Sequence, residues 1–194
     1  VMSQDDTRST RRAFLLDLFQ QAAGPAGKAF AALATEPPAR PKSLLRPPGA
    51  LPEALFLEHC YRCGCCVDVC PPQALQSWNG PDTKLSGTPY IDPDVQGCIL
   101  CGNLSCMDAC PSGALERIDR AQIRIGLAQV NTDRCRRSRG DECRECIARC
   151  PVGEAAIRLD GNGAIQVNAA GCAGCGTCQE ACPERPRAIS IRKA

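Results

Sequence analysis

Large side chains are scarce in this chain. Four Phe, two Tyr and one Trp make up 4% of its 194 residues, a poor stock for an apolar core of this length. No run of 18 or more apolar residues occurs, so no segment reads as a membrane span. Neither sign of charge dominates, and a net charge of +2 says nothing about nucleic acid or acidic partners. The chain has no GxGxxG, no phosphate loop and no nucleophile–base pair, so no separate catalytic constellation is legible. What it has is cysteine: 17 residues. Such a fraction leaves two readings, a disulfide scaffold or a metal protein. The odd count argues against complete internal pairing, and metal sites can supply the folding free energy that a thin core lacks.

The cysteines fall into four groups, each ending in Cys-Pro. The first is Cys60, Cys63, Cys66 and Cys70, spaced C-x2-C-x2-C-x3-C. The second, Cys98, Cys101, Cys106 and Cys110, has a longer C-x4-C step. The third, Cys135, Cys143, Cys146 and Cys150, opens with C-x7-C. The fourth, Cys172, Cys175, Cys178 and Cys182, repeats the spacing of the first. The groups recur every 37–38 residues, the mark of a repeated supersecondary unit. Short alternating stretches precede three of them ("GTPYIDPDVQGC", "GLAQVNTDRC", "GAIQVNAAGC"), and small apolar stretches follow the prolines. The unit therefore reads as strand, cysteine loop, short helix, strand, an α+β fold. "IRLDGNGAIQV" is the best hairpin in the chain, because Asp160-Gly161-Asn162-Gly163 tolerates positive φ.

C-x2-C-x2-C wraps a tight loop over three corners of a cubane cluster, and the cysteine beside the proline serves the other cluster of a two-cluster unit. Zinc sites more often show separate C-x2-C pairs, and cysteines this close on a tight loop seldom reach one another as disulfides. The sixteen cysteines of the four groups thus predict four [4Fe–4S] clusters in two ferredoxin-like modules. Two pairings are open: sequential (first with second, third with fourth) or nested (first with fourth, second with third). The shared regular spacing of the first and fourth groups favours nesting.

Cys65 is the cysteine left over. Its counterpart in the fourth group is Thr177, which points to a small residue packed beside the cluster, with an alternative ligand or redox-sensitive thiol as the other reading. His59 finds no vacant ligand position and reads as a surface residue, and Trp78 as packing. The third group gathers Arg134, Arg136, Arg137, Arg139 and Arg144. These residues form either a solvated loop or a docking patch for an acidic redox partner.

Residues 1–59 hold no cysteine. "STRRAFL" looks like a twin-arginine export signal, with Ala32-Leu33-Ala34 as a cleavage site. Asp17, Gln20, Gln21 and Lys28 interrupt its apolar region, which leaves a cytoplasmic, uncleaved segment as the alternative. The expected layout is an N-terminal segment (1–34), an extended proline-rich linker (35–52) and a four-cluster domain (53–194).

"LRPPGALPEALFLEHCYRCGCCVDVCP", "SGTPYI", "CPSGALE" and "IGLAQV" together resemble the NapG/MauM family of ferredoxin-type proteins. The C-x4-C and C-x7-C steps are the specific features. The resemblance runs from about Leu45 to the end and includes the twin arginines. It implies an electron-transfer subunit on the periplasmic face of the membrane, beside a quinol-oxidising iron–sulfur partner of the NapH type. Such a subunit would relay electrons toward a periplasmic reductase of the nitrate-reductase type and carry no catalytic site of its own. A maturation or assembly factor is the alternative function.

Overall fold

The structure is a computed structural model that describes residues 44–193. The export-like segment, the Ala32–Ala34 site and the linker up to residue 43 lie outside the described residues. Helices are short: α1 (Glu53–His59), α2 (Cys65–Asp68), α3 (Ser105–Asp108), α4 (Glu145–Ala148) and α5 (Thr177–Ala181). So are the strands: β1 (Leu75–Ser77), β2 (Pro89–Ile91), β3 (Gly126–Val130), β4 (Ile157–Leu159), β5 (Ile165–Val167) and β6 (Ile189–Lys193). The four helices α2 to α5 each begin just before, or at, the third cysteine of a motif. This agrees with the short helix expected in each unit.

The strands pair in three antiparallel ribbons: β1 with β2, β3 with β6, and β4 with β5. The β4–β5 hairpin is the one expected. The Asp160 carboxylate accepts the N–H groups of Asn162 (2.9 Å) and Ala164 (2.8 Å), and Gly163 takes φ +79°.

The long-range ribbon decides the topology. β3 precedes the third motif, β6 follows the fourth, and Val130 lies opposite Ile189. The first half repeats this plan with less strand. Ala50 bridges Leu115, Leu51 N–H donates to Ala114 (3.1 Å), and Glu116 N–H donates to Gly49 (2.8 Å). Each half is therefore closed by the chain before its first motif meeting the chain after its second. Helix contacts follow suit: α2 packs on α3, and α4 on α5. The nested pairing expected from matched spacing is not the arrangement found. Every motif carries the same local chemistry, so the outer strand pairing chooses the partners, and it joins neighbours.

The linker expectation also needs correction within the described residues. Leu45 and Phe56 are fully buried. Arg46 spans the junction, with its guanidinium over the Phe56 ring at 4.6 Å. Arg46 donates to Glu53 (2.6 Å), Thr88 Oγ1 (3.0 Å) and the Pro89 carbonyl (2.8 Å). Residues 44–52 are thus part of the first half, tied down because Pro47 and Pro48 extend the chain against it.

The core answers the shortage of aromatics. Leu45, Phe56, Ile91, Leu100 and Ile123 are its fully buried aliphatic and aromatic members, and Cys66, Cys106, Cys135, Cys172, Cys175, Cys178 and Cys182 are buried among them. Trp78 lies apart in a small cluster, edge-on to Tyr90 with ring centroids 5.5 Å apart. Its indole N–H donates to the Asp82 carbonyl at 3.2 Å, a packing role as expected.

Candidate metal centres

A loop that must turn its backbone toward a bound group needs residues in left-handed conformation. The residue before the second cysteine takes positive φ in three motifs: Arg62 (+56°), Leu100 (+49°) and Gly174 (+67°). Only one of these is glycine, so strain is held at Arg62 and Leu100. Neither residue type signals such a turn.

The exchanged cysteines show which thiols come together. Burial, then the neighbouring thiols Cys60, Cys110, Cys106 and Cys63, pushes Cys66 up to about 12. Cys60, Cys63, Cys66 and Cys110 form the first set. Burial also pushes Cys98 up to about 12, with Cys175, Cys106 and Cys70 beside it. Cys106 rises to about 11 through burial and the thiols of Cys101 and Cys70. Cys98, Cys101, Cys106 and Cys70 form the second set. Cys135, Cys143, Cys146 and Cys182 line one cavity and form the third. Cys150, Cys172, Cys175 and Cys178 line another and form the fourth. Each set takes three cysteines from one motif and the last cysteine of its sequence neighbour.

These donors fit a cluster that binds through thiolates. Backbone and hydroxyl groups point at the sulfurs: Arg62 N–H at Cys60 Sγ (3.4 Å), Ala188 N–H at Cys182 Sγ (3.3 Å), and Ser112 Oγ 3.5 Å from Cys110 Sγ. Cys110 is partly buried, which would raise it, but the Ser112 hydroxyl and nearby N–H groups outweigh burial and hold it below the usual thiol range. Such donors stabilise the thiolate that a metal requires.

Cys65 is half-buried beside the first set, and the neighbouring Cys63 thiol raises it. Thr177 occupies the matching place: its Oγ1 lies 3.4 Å from Cys175 Sγ. Each of the two residues neighbours the second cysteine of its motif. His59 is exposed, its Nδ1 2.9 Å from the Leu55 carbonyl.

The arginine loop lies at the third set. Arg136 and Arg139 share Glu184, at 2.6 and 3.0 Å, and Arg137 meets Glu142 at 3.0 Å. Arg134 and Arg144 are exposed. Much of the charge counted in the sequence is thus met within the fold.

The 4Fe-4S dicluster domain family matches residues 59–114 and 97–154, and a second family of the same description matches 127–183. Among curated proteins, the methylamine utilization ferredoxin-type protein MauM of Methylophilus methylotrophus is 38% identical over 164 residues, covering 79% of this chain and 73% of the relative. MauM of Paracoccus denitrificans is 39% identical, covering 76% and 70%. The ferredoxin-type protein NapG of Escherichia coli is 36% identical, covering 93% and 84%. The chain belongs to the NapG/MauM family of ferredoxin-type iron–sulfur proteins. Two dicluster domains give it four [4Fe–4S] clusters. The 97–154 match joins the second and third motifs, as nesting would, because equal repeats can be read in any adjacent pair. The geometry distinguishes the pairs where repeat matching does not.

Among the described residues, no helix is long and apolar enough to cross a membrane.

Proposed function

We propose that the sixteen cysteines of the four sets are the cluster ligands and that the protein is an electron relay without a catalytic site. Each [4Fe–4S] cluster accepts and releases one electron, and the protein's part is to hold, insulate and tune it. The observation that carries this reading is the make-up of the sets. Each is four thiols, completed by exchange with the neighbouring motif.

The NapG and MauM relatives support a place in a respiratory or amine-oxidising chain. On this reading, electrons arrive from a membrane quinol-oxidising iron–sulfur protein of the NapH type and leave toward a periplasmic reductase, nitrate reductase in the NapG branch. Residues 1–34 would direct twin-arginine export of the folded, loaded protein to the periplasmic face. Leu55 and Tyr61, in or beside the first motif, are 45% and 71% exposed. Apolar groups there suit a docked subunit better than a freely diffusing carrier. Arg134 and Arg144 are the charges left to steer an acidic partner to the third set.

An EPR-monitored redox titration of anaerobically purified protein tests the relay. Several reversible [4Fe–4S] signals at potentials open to a quinol-linked chain support it. Clusters that do not cycle reversibly overturn it and favour an assembly factor.

A further inference from the structure

The two halves meet at cysteine-bearing backbone. Cys98 N–H donates to the Cys175 carbonyl at 2.8 Å, so a residue of the second set is bonded directly to a residue of the fourth. The approach is too close for side chains. A Cβ on Gly97 would fall 2.4 Å from the Thr177 nitrogen, and one on Gly176 would fall 2.8 Å from Pro93. Polar side chains clamp the seam. Glu180 accepts from Gly97 N–H (2.7 Å) and Gln96 Nε2 (3.1 Å), and Gln179 Nε2 donates to Asp94 (2.9 Å). Cys175 and Cys178 are buried and Cys98 is half-buried, whereas Cys63 of the first set is exposed.

Resting on the relay reading, we infer that the four sets are joined in the order first, second, fourth, third, and that the Cys98–Cys175 backbone bond is the joint between the halves. Chain order would have linked the second set to the third. Here the third set, beside the arginine loop, is lined by residues of the second half alone, whereas the second and fourth are joined by the Cys98–Cys175 bond. A single peptide hydrogen bond links the halves here, with its donor in the second set and its acceptor in the fourth.

The test pairs two measurements. In the full-length chain, one variant removes the first and third sets (Cys63→Ala, Cys66→Ala, Cys143→Ala, Cys146→Ala). Another removes the second and fourth (Cys98→Ala, Cys101→Ala, Cys172→Ala, Cys175→Ala). After full reduction, the first variant shows an EPR signal split by spin coupling, and the second loses that splitting. Equal splitting in both, or splitting only in the second, overturns the order.

Because such variants can fail to fold, hydrogen exchange of the unmodified four-cluster protein gives an independent reading. The Gly97 and Cys98 amides exchange on the order of 100-fold more slowly than exposed loop amides. Exchange at the exposed rate overturns the joint. Failure of the relay itself would look different: the unmodified protein would lack reversible signals, whatever the protection at Cys98.

Discussion

Glu180 accepts the backbone N–H of Gly97 at 2.7 Å, across 83 residues of sequence. A carboxylate holding a main-chain donor at a partly buried seam makes a charge-assisted bond, worth about 2 kcal/mol. Glu180→Ala should lower the unfolding free energy of the anaerobic protein by about that amount, and Glu180→Gln by less, in denaturant melts followed by cluster absorbance.

Two glycines are fixed by proximity. Gly174 takes φ +67°, and a Cβ there would fall 2.2 Å from the backbone of Gly126. Gly97 faces a similar clash without the positive φ. Gly174→Ala should therefore cost more than Gly97→Ala, which is expected at about 1–3 kcal/mol. Comparing the two melts checks the order of severity.

The Thr177 hydroxyl, 3.4 Å from Cys175 Sγ, stabilises added negative charge on the sulfur. Thr177→Val should make the potential of one cluster more negative. A hydrogen bond of about 1 kcal/mol corresponds to roughly 40 mV for one electron. Three potentials unchanged and one lowered is the expected titration.

Exchange of last cysteines can be tested one residue at a time. Cys110→Ala should cost the cluster of Cys60, Cys63 and Cys66 while sparing the second half, read as the loss of one EPR component. A loss from the third set would restore the nested pairing instead.

Proton linkage has a definite sign here. Burial and neighbouring thiols push Cys66 and Cys98 to about 12, above the ordinary 9.0. In the cluster-free chain the fold holds these protons more tightly than the unfolded chain does. Their stabilisation is therefore complete below pH 9 and is lost as pH rises toward 12. Cluster-free protein should melt at lower temperature at pH 10 than at pH 8. Loading runs the other way: thiols give up protons as they bind, so cluster uptake should improve from pH 7 to pH 8.5.

The candidate site was largely legible in the sequence, because ligand chemistry dictates spacing. Cys65 could be set aside and matched to Thr177 by counting alone. The β4–β5 turn was legible for the same reason, with Asp160 and Gly163 supplying a local solution. Pairing was not legible. It depends on Val130 meeting Ile189 and Ala50 meeting Leu115, contacts between distant stretches that no motif encodes. Nor was the left-handed turn at Arg62 and Leu100, where surrounding structure imposes what residue type disfavours. Arg46 falls in the stretch that reads as linker, since nothing local shows that Glu53, Thr88 and Pro89 converge on it.

Exchange of the last cysteine has a consequence for how such a chain grows over generations. Cys70 works for the second set and Cys110 for the first, so a motif copied or deleted singly would leave one set a thiol short and another with a thiol to spare. The heritable unit is therefore the interlaced pair, and lengthening such a protein favours steps of two motifs.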